Sequence, residues 1–134
     1  MILRQFTWPG DLTMTLIGGK WKPLIIYHLL QGQNRRFNEL KSLMPGISAK
    51  MLAKHLRELE LDGLLSRTKG EGKSGRIFYS PTERSLAMGP VLDAMYQWAK
   101  QNGNAYGDPS LSHAYPGFEP GANRLFTTAN SPAP

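Results

Sequence analysis

The sequence predicts an α+β fold that is mostly helical, with a two-stranded β-hairpin and a long C-terminal helix. Two observations support this prediction. Apolar residues recur at helical spacing before residue 63 and again after residue 82. Between these segments, residues 64–69 and 76–80 are strand-like and flank the glycine-containing stretch EGKSG. At 134 residues the chain is long enough for one modest domain, which we place at residues 8–102.

Four helices are expected before the hairpin. They are predicted at residues 11–17, 21–30, 38–44 and 48–62. Pro23 falls in the first turn of the second helix, where its missing N–H costs little. Asn38 is the expected N-cap of the third helix and Ser48 that of the fourth, because both side chains can accept a hydrogen bond from a free backbone N–H.

The fourth helix is the most informative segment, because its basic residues and its leucines fall on opposite faces at about 100° per residue. The basic face contains Lys50, Lys54 and Arg57. The leucine face contains Leu52, Leu56 and Leu59. A cationic helix of this kind suits the major groove of DNA. The alternative is that the pattern marks only the solvated side of an amphipathic helix.

The charge of the chain is concentrated around this helix. The net charge is +6, and residues 35–76 hold +5 of it, with ten basic and five acidic residues. A local cationic surplus raises the electrostatic potential where a polyanion would dock. Nucleic acid is therefore the leading candidate partner.

The hairpin and the segment after it complete the pattern. The hairpin carries four cations, which are Arg67, Lys69, Lys73 and Arg76. Thr82 is the expected N-cap of a helix that reaches about Asn102, and Pro90 should kink or divide that helix. Residues 103–134 are rich in glycine and proline, and we interpret them as a C-terminal tail.

Three helices, an amphipathic basic helix and a basic hairpin follow one another in the order of a winged helix-turn-helix. In that arrangement the fourth helix enters the major groove of DNA, and the hairpin, or wing, reaches an adjacent backbone or minor groove.

Several ordered motifs also resemble the HxlR family of bacterial transcriptional regulators, which are relatives of the MarR type. They are GGKWKPLIIYHLL at 18–30, RFNELKSLMPGISAKMLAKHLRELELDGLLSR at 36–67, YSPTE at 79–83 and PVLDAMYQW at 90–98. The resemblance implies a homodimer that binds an inverted-repeat operator on double-stranded DNA, more often as a repressor. It also implies a dimer contact through the first and last helices, at Leu12, Leu16, Val91, Met95 and Trp98.

The resemblance further implies a set of DNA-contacting residues. The residues nearest the bases would be Ser48, Lys50, Lys54 and His55. Phosphates would be held by Arg36, Arg57, Lys73 and Arg76, with Asn38 offering a helix N-terminus. Two alternatives stay open. His55 borders the apolar face and could be a packed core histidine. The wing cations could simply keep an exposed hairpin tip soluble without contacting DNA.

Other classes of function find little support in the sequence. The absence of cysteine excludes disulfides, thiol redox switching and Cys-ligated zinc. No metal-ligand cluster, paired carboxylates or nucleophile with a base can be assembled, so neither an enzyme nor a cofactor is expected. With no signal peptide or membrane span evident, we expect a cytoplasmic protein.

Two further hypotheses about function remain. Trp21, Tyr27 and Trp98 could line a pocket for a small-molecule effector, although aromatics at such spacing more often belong to a core or a dimer surface. The main alternative to a DNA-binding regulator is a winged-helix module for protein–protein interaction, which would use its hydrophobic last helix and aromatic tail.

Overall fold

The structure, a computed structural model, describes residues 5–32, 34–70 and 75–107. Its helices are α1 (Pro9–Ile17), α2 (Lys22–Gly32), α3 (Phe37–Leu43), α4 (Ala49–Leu61), α5 (Glu83–Leu86) and α6 (Gly89–Asn102), followed by a 3₁₀ helix (Gly103–Tyr106). Its strands are β1 (Leu65–Lys69) and β2 (Ile77–Pro81). This arrangement confirms the predicted α+β fold, a winged helix-turn-helix that is mostly helical.

Helix α2 is the centre of the hydrophobic core. Ile25, Ile26, Leu29 and Leu30 are fully buried, and α2 contacts α3, α5, α6 and β2. A helix that is apolar nearly all round is stable only when other elements cover every side of it. Helix α2 is therefore the element around which α3, α5, α6 and β2 are arranged.

Helix α4 has the predicted N-cap and packs through the predicted leucines. The Ser48 hydroxyl accepts a hydrogen bond from the Met51 backbone N–H at 3.0 Å. The predicted leucines are all buried in the core: Leu52, Leu56 and Leu59. Complete burial of a leucine side chain contributes about 1.5–3 kcal/mol, so these three residues fix the rotation of α4 about its axis.

A Schellman turn ends α4. The Leu64 N–H donates to the Leu59 carbonyl at 2.9 Å, and the Gly63 N–H donates to the Glu60 carbonyl at 3.0 Å. Gly63 has a φ of +76°, a left-handed conformation that a side chain disfavours. The turn directs the chain from the helix straight into β1.

The predicted cap of α3 was wrong. Arg36, not Asn38, is the N-cap residue, and the Glu39 carboxylate accepts the Arg36 backbone N–H at 3.0 Å. Because Glu39 satisfies this free N–H from within the first turn, α3 starts one residue earlier than predicted, at Phe37. Asn38 is then the second residue of the helix and is exposed.

The hairpin is antiparallel and is tied to the chain before α3. Its register pairs Leu65 with Pro81 and Arg67 with Tyr79. Arg35 forms a further antiparallel bridge to Tyr79, with N–H to carbonyl distances of 2.8 and 2.7 Å. The residue before the α3 cap therefore anchors the base of the wing.

Proline divides the C-terminal helical region, as expected. Thr82 caps α5, since its hydroxyl accepts the Ser85 N–H and the Ser85 hydroxyl accepts the Thr82 N–H. Pro90 lies in the first turn of α6, where proline is tolerated.

Predicted residue Lys73 and positions 108–134 lie outside the described residues, and the domain boundary at residue 102 stays a prediction. Across the three described stretches, we find no helix of the length and apolarity that crossing a membrane requires.

Removing the cap of α4 tests this account of the helix start. We expect Ser48→Ala to lower the free energy of unfolding by about 1 kcal/mol, because the Met51 N–H loses its acceptor. The matched control is Ser42→Ala, since the Ser42 hydroxyl donates to a carbonyl inside α3 and caps nothing. Urea unfolding of both variants measures the difference, and equal stability of the two would contradict the assignment.

Candidate nucleic-acid interface

The outer face of α4 carries three exposed cations. Lys50, Lys54 and Arg57 are all exposed, and none of them forms an ion pair with an acidic side chain in the described parts of the chain. Because the leucines on the opposite face are buried, α4 cannot rotate these cations inward. The predicted cationic face is therefore present and is free to bind an anionic surface.

The first turn of α4 presents small and apolar groups beside these cations. Ser48 and Ala49 are exposed, and Met51 is 39% exposed. The Ser48 hydroxyl already accepts the Met51 N–H but can still donate its proton. Sequence analysis missed Met51, although its position beside Lys50 was readable. An exposed methionine on a cationic helix offers an apolar contact of the kind that a thymine methyl group accepts.

Further exposed cations lie at the start of α3 and on the hairpin. They include Arg36, Arg67, Lys69 and Arg76. Asn38 is exposed in the first turn of α3, where backbone N–H groups lack helical acceptors. Arg57 of α4 and Arg67 of β1 line the same cleft, so the base of the hairpin and the cationic face of α4 are neighbours. Arg67 was counted among the wing cations but not among the predicted contacts.

His55 lies on the flank of the cationic face. It is half-buried, and its buried Nδ1 atom has no hydrogen-bond partner among the residues that the structure describes. Burial lowers the pKa of His55, and the nearby Lys22 lowers it further. Both effects favour the neutral imidazole, which can take part in a hydrogen bond.

An ion pair links the start of α2 to α4. The Lys22 Nζ atom lies 3.0 Å from Glu58 Oε2, and the Lys22 side chain is only 11% exposed. Lysine at the first position of a helix is disfavoured by the helix dipole, and the Glu58 carboxylate offsets that cost. This hydrogen bond from Lys22 lowers the pKa of Glu58. Sequence analysis did not identify the pair, because its members lie 36 residues apart.

The predicted dimer residues are mostly exposed. Val91, Met95 and Trp98 follow helical spacing on α6 and are 44%, 51% and 57% exposed. Leu12 on α1 is 45% exposed, whereas Leu16 packs partly against the core. Outside α4, the remaining exposed large apolar side chains in the described ranges also belong to these two regions: Phe6, Trp8, Met14 and Tyr106. Exposed apolar faces of this kind mark interaction surfaces.

The aromatics considered for an effector pocket are dispersed. Tyr27 is buried in the core, Trp21 packs partly against it, and Trp98 is exposed and contacts Tyr106 with ring centroids 6.1 Å apart. These three side chains therefore occupy different environments.

Comparison with known proteins gives consistent matches. The model of the HxlR-like helix-turn-helix family matches residues 16–106. YkvN of Bacillus subtilis, described as an uncharacterized HTH-type transcriptional regulator, is 40% identical over 96 residues, which cover 72% of this chain and 80% of YkvN. YdzF of the same organism, with the same description, is 38% identical over 98 residues, covering 73% and 90% of the two chains.

Solved structures show the same similarity. The redox regulator HypR in its reduced form superposes with a TM-score of 0.70 at 35% sequence identity. The match covers 74% of this chain and 97% of HypR.

The Lys22–Glu58 pair predicts a pH-dependent stability. We expect Glu58→Gln to lower the free energy of unfolding at pH 7, because Lys22 loses its charged partner while still shielded from solvent. The pKa of Glu58 is lowered in the folded state, so this contribution is present above the unfolded pKa of the carboxyl. It is lost as the pH falls through the folded value.

The measurement is urea unfolding of the wild type and the variant from pH 7 down to pH 3. The matched control is Glu60→Gln, which alters an exposed carboxylate on the same helix. A Glu58→Gln effect that persists undiminished at pH 3, or that Glu60→Gln reproduces, would count against a specific ion pair.

Proposed function

The chain belongs to the HxlR-like helix-turn-helix family of transcriptional regulators, and we propose that it acts as a homodimeric repressor that binds an inverted-repeat operator. The observation that carries the proposal is the outer face of α4. Lys50, Lys54 and Arg57 are exposed there and form no ion pair with any acidic side chain that the structure describes, opposite leucines that are buried. That face has the shape and charge that a major groove accommodates.

Each predicted site residue has a proposed role. Ser48, Lys50, Lys54 and His55 lie nearest the base edges, with His55 acting as a neutral hydrogen-bonding group at the flank. Lysine can donate to guanine edges, and the exposed methionine at position 51 adds an apolar contact. Phosphate contacts come from Arg36, Arg57, Lys73 and Arg76, with the α3 backbone at Asn38.

A dimer supplies two copies of α4 for one operator. Two-fold symmetry places the two recognition helices about 34–36 Å apart, so that they address half-sites one turn of DNA apart. The exposed apolar side chains of α1 and α6 support this assembly, since burying them against a second copy removes apolar surface from water. Repression then follows from occupying promoter DNA in the cytoplasm.

The apolar faces also favour a second candidate function. A winged-helix module that binds another protein would use the α6 stripe of Val91, Met95 and Trp98. In that case the cations of α4 would be incidental to binding. A partner interaction that survives Lys50→Ala and Lys54→Ala, together with no retardation of any DNA, would favour this alternative.

Charge reversal on α4 tests the DNA interface. We expect Lys54→Glu to weaken operator binding by at least about 30-fold at fixed salt, because a contact worth about 1–3 kcal/mol is lost in each half-site. The operator is first obtained by selecting bound sequences from a random DNA pool, and affinity is then measured by fluorescence anisotropy.

The matched control is Lys100→Glu, which makes the same charge change at an exposed position of α6 instead of α4. Its effect on DNA affinity should be several-fold smaller than that of Lys54→Glu. Equal losses of DNA affinity for the two variants would show that only the overall charge matters and would contradict the proposed interface.

The α6 stripe predicts a concentration-dependent dimer. We expect Trp98→Glu to shift the chain toward monomer in sedimentation equilibrium, because a carboxylate would have to be desolvated in the apolar contact. Gln97→Glu, which adds the same charge to a neighbouring half-buried position, is the control. A wild type that is monomeric at all concentrations, or a dimer untouched by Trp98→Glu, contradicts this use of the stripe.

A further inference from the structure

An exposed lysine just before α2 is held over a tryptophan ring, and the proposed DNA contacts do not include it. The Lys20 Nζ atom lies 4.6 Å from the centroid of the Trp21 ring. A cation over the face of an indole is attracted by the electrons of the ring. Lys20 is exposed and forms no ion pair with the acidic side chains that the structure describes. Its charge is therefore held in place and is available to an anion.

The tryptophan is fixed between the core and the turn that precedes α4. Trp21 is half-buried and packs against the core, and its carbonyl accepts the Ile25 N–H at 2.9 Å. The far edge of its ring, at Cη2, lies 3.9 Å from the point that a Cβ atom on Gly46 would occupy. Gly46 comes two residues before Ser48, the N-cap of α4. The ring that holds Lys20 therefore also lies against the turn that leads into α4.

A second link ties the start of α2 to α4. Lys22 follows Lys20 by two residues, and its Nζ atom lies 3.0 Å from Glu58 Oε2. Glu58 belongs to the third turn of α4, whereas Gly46 precedes the first turn. Because the start of α2 is held at two separate places along α4, Lys20 has a fixed position beside that helix.

The start of α2 and the hairpin lie on different flanks of α4. Glu58 contacts Lys22, whereas Glu60 lines a cleft together with Arg67 of the hairpin. These two glutamates are two residues apart, so at about 100° per residue they point about 160° away from each other. The cationic outer face of α4 lies between them. Further cations therefore flank this face on both sides, with Lys20 on one flank and Arg67 on the other.

This arrangement matches the walls of a major groove. The groove of B-DNA is about 12 Å wide, and an α-helix with its side chains is about 10–12 Å across. A helix in the groove therefore has one sugar–phosphate backbone along each flank, and the two backbones belong to opposite strands. Cations on the flanks meet phosphates, which position a protein without reading its sequence of bases. The hairpin side of α4 reaches one backbone, and Lys20 is placed to reach the other.

We propose that Lys20 binds a DNA phosphate on the strand opposite to the one that the hairpin reaches, with Trp21 as the positioning residue that holds its side chain. The proposal rests on the proposed function, because it takes α4 to lie in the major groove. The start of α2 is then a second phosphate-binding flank, so that each protomer contacts both strands of its half-site. This contact adds affinity for duplex DNA of any sequence and no preference among bases.

The salt dependence of DNA binding by the full chain tests the contact. Each phosphate contact contributes about −0.9 to the slope of log K against log salt for B-DNA. Lys20→Gln removes one contact per protomer, so the slope for the dimer should become less steep by about 1.8. At about 50 mM salt, affinity for the selected operator should fall about tenfold, and affinity for an unrelated duplex should fall by the same factor. Fluorescence anisotropy from about 50 to 200 mM salt measures both quantities.

The matched control is Lys100→Gln. The Lys100 Nζ atom lies 6.0 Å from the centroid of the Tyr96 ring, so Lys100 is also an exposed lysine over an aromatic ring. This variant should leave the slope unchanged. Lys20→Arg, which keeps the charge, should have the wild-type slope. A wild-type slope for Lys20→Gln, or a loss of affinity confined to the selected operator, would refute the phosphate contact.

A double-mutant cycle tests the role of Trp21. Trp21→Leu keeps an apolar side chain against the core but removes the ring that holds Lys20. Its weakening of DNA binding should be at least about threefold greater in the wild type than in Lys20→Gln, where the lysine that it positions is absent. Circular dichroism verifies that each variant is folded. Equal weakening in the two backgrounds would limit Trp21 to packing and overturn its positioning role.

Lys54→Glu separates this proposal from the proposed function. If Lys54→Glu weakens operator binding while Lys20→Gln changes neither affinity nor slope, α4 still binds the groove and the Lys20 contact is wrong. If the chain bound no duplex DNA, the proposed function would fail and the Lys20 contact with it. A less steep slope for Lys20→Gln, together with weaker binding by Lys54→Glu, supports both.

Discussion

The burial of one face of α4 is the constraint on which the rest of the structure depends. Leu52, Leu56 and Leu59 are inserted into a core built around α2, and turning the helix would expose them to water at a cost of several kcal/mol. The opposite face must then point outward. The Lys22–Glu58 ion pair adds a polar link to α2, and the Schellman turn at Gly63 fixes where the hairpin begins.

Sequence reasoning succeeded where the signals are local. The leucine and lysine periodicity of α4, the Ser48 and Thr82 caps and the division of the last helix at Pro90 are all readable within a few residues, and the structure confirms them. The α3 cap failed because residue type alone favoured Asn38, whereas the Glu39 side chain bonded to the Arg36 N–H decides where the helix starts.

What could not be predicted depends on residues that are distant in sequence. The Lys22–Glu58 pair and the bridge from Arg35 to Tyr79 appear only once helices and strands are packed. The cleft lined by Arg57 and Arg67 is of the same kind, because its two walls come from α4 and from a strand pairing. A sequence can show that Arg57 and Arg67 are cations, but not that they line one space. The partial burial of His55 likewise depends on its neighbours in the fold.

The most direct test of the outward cationic face is lysine-reactive labelling of the full chain, read by mass spectrometry, with and without its selected operator. The account predicts that DNA protects Lys50 and Lys54 while exposed Lys100 reacts at the same rate in both states. Unchanged labelling of Lys50 and Lys54 in a sample whose DNA is fully bound would contradict it.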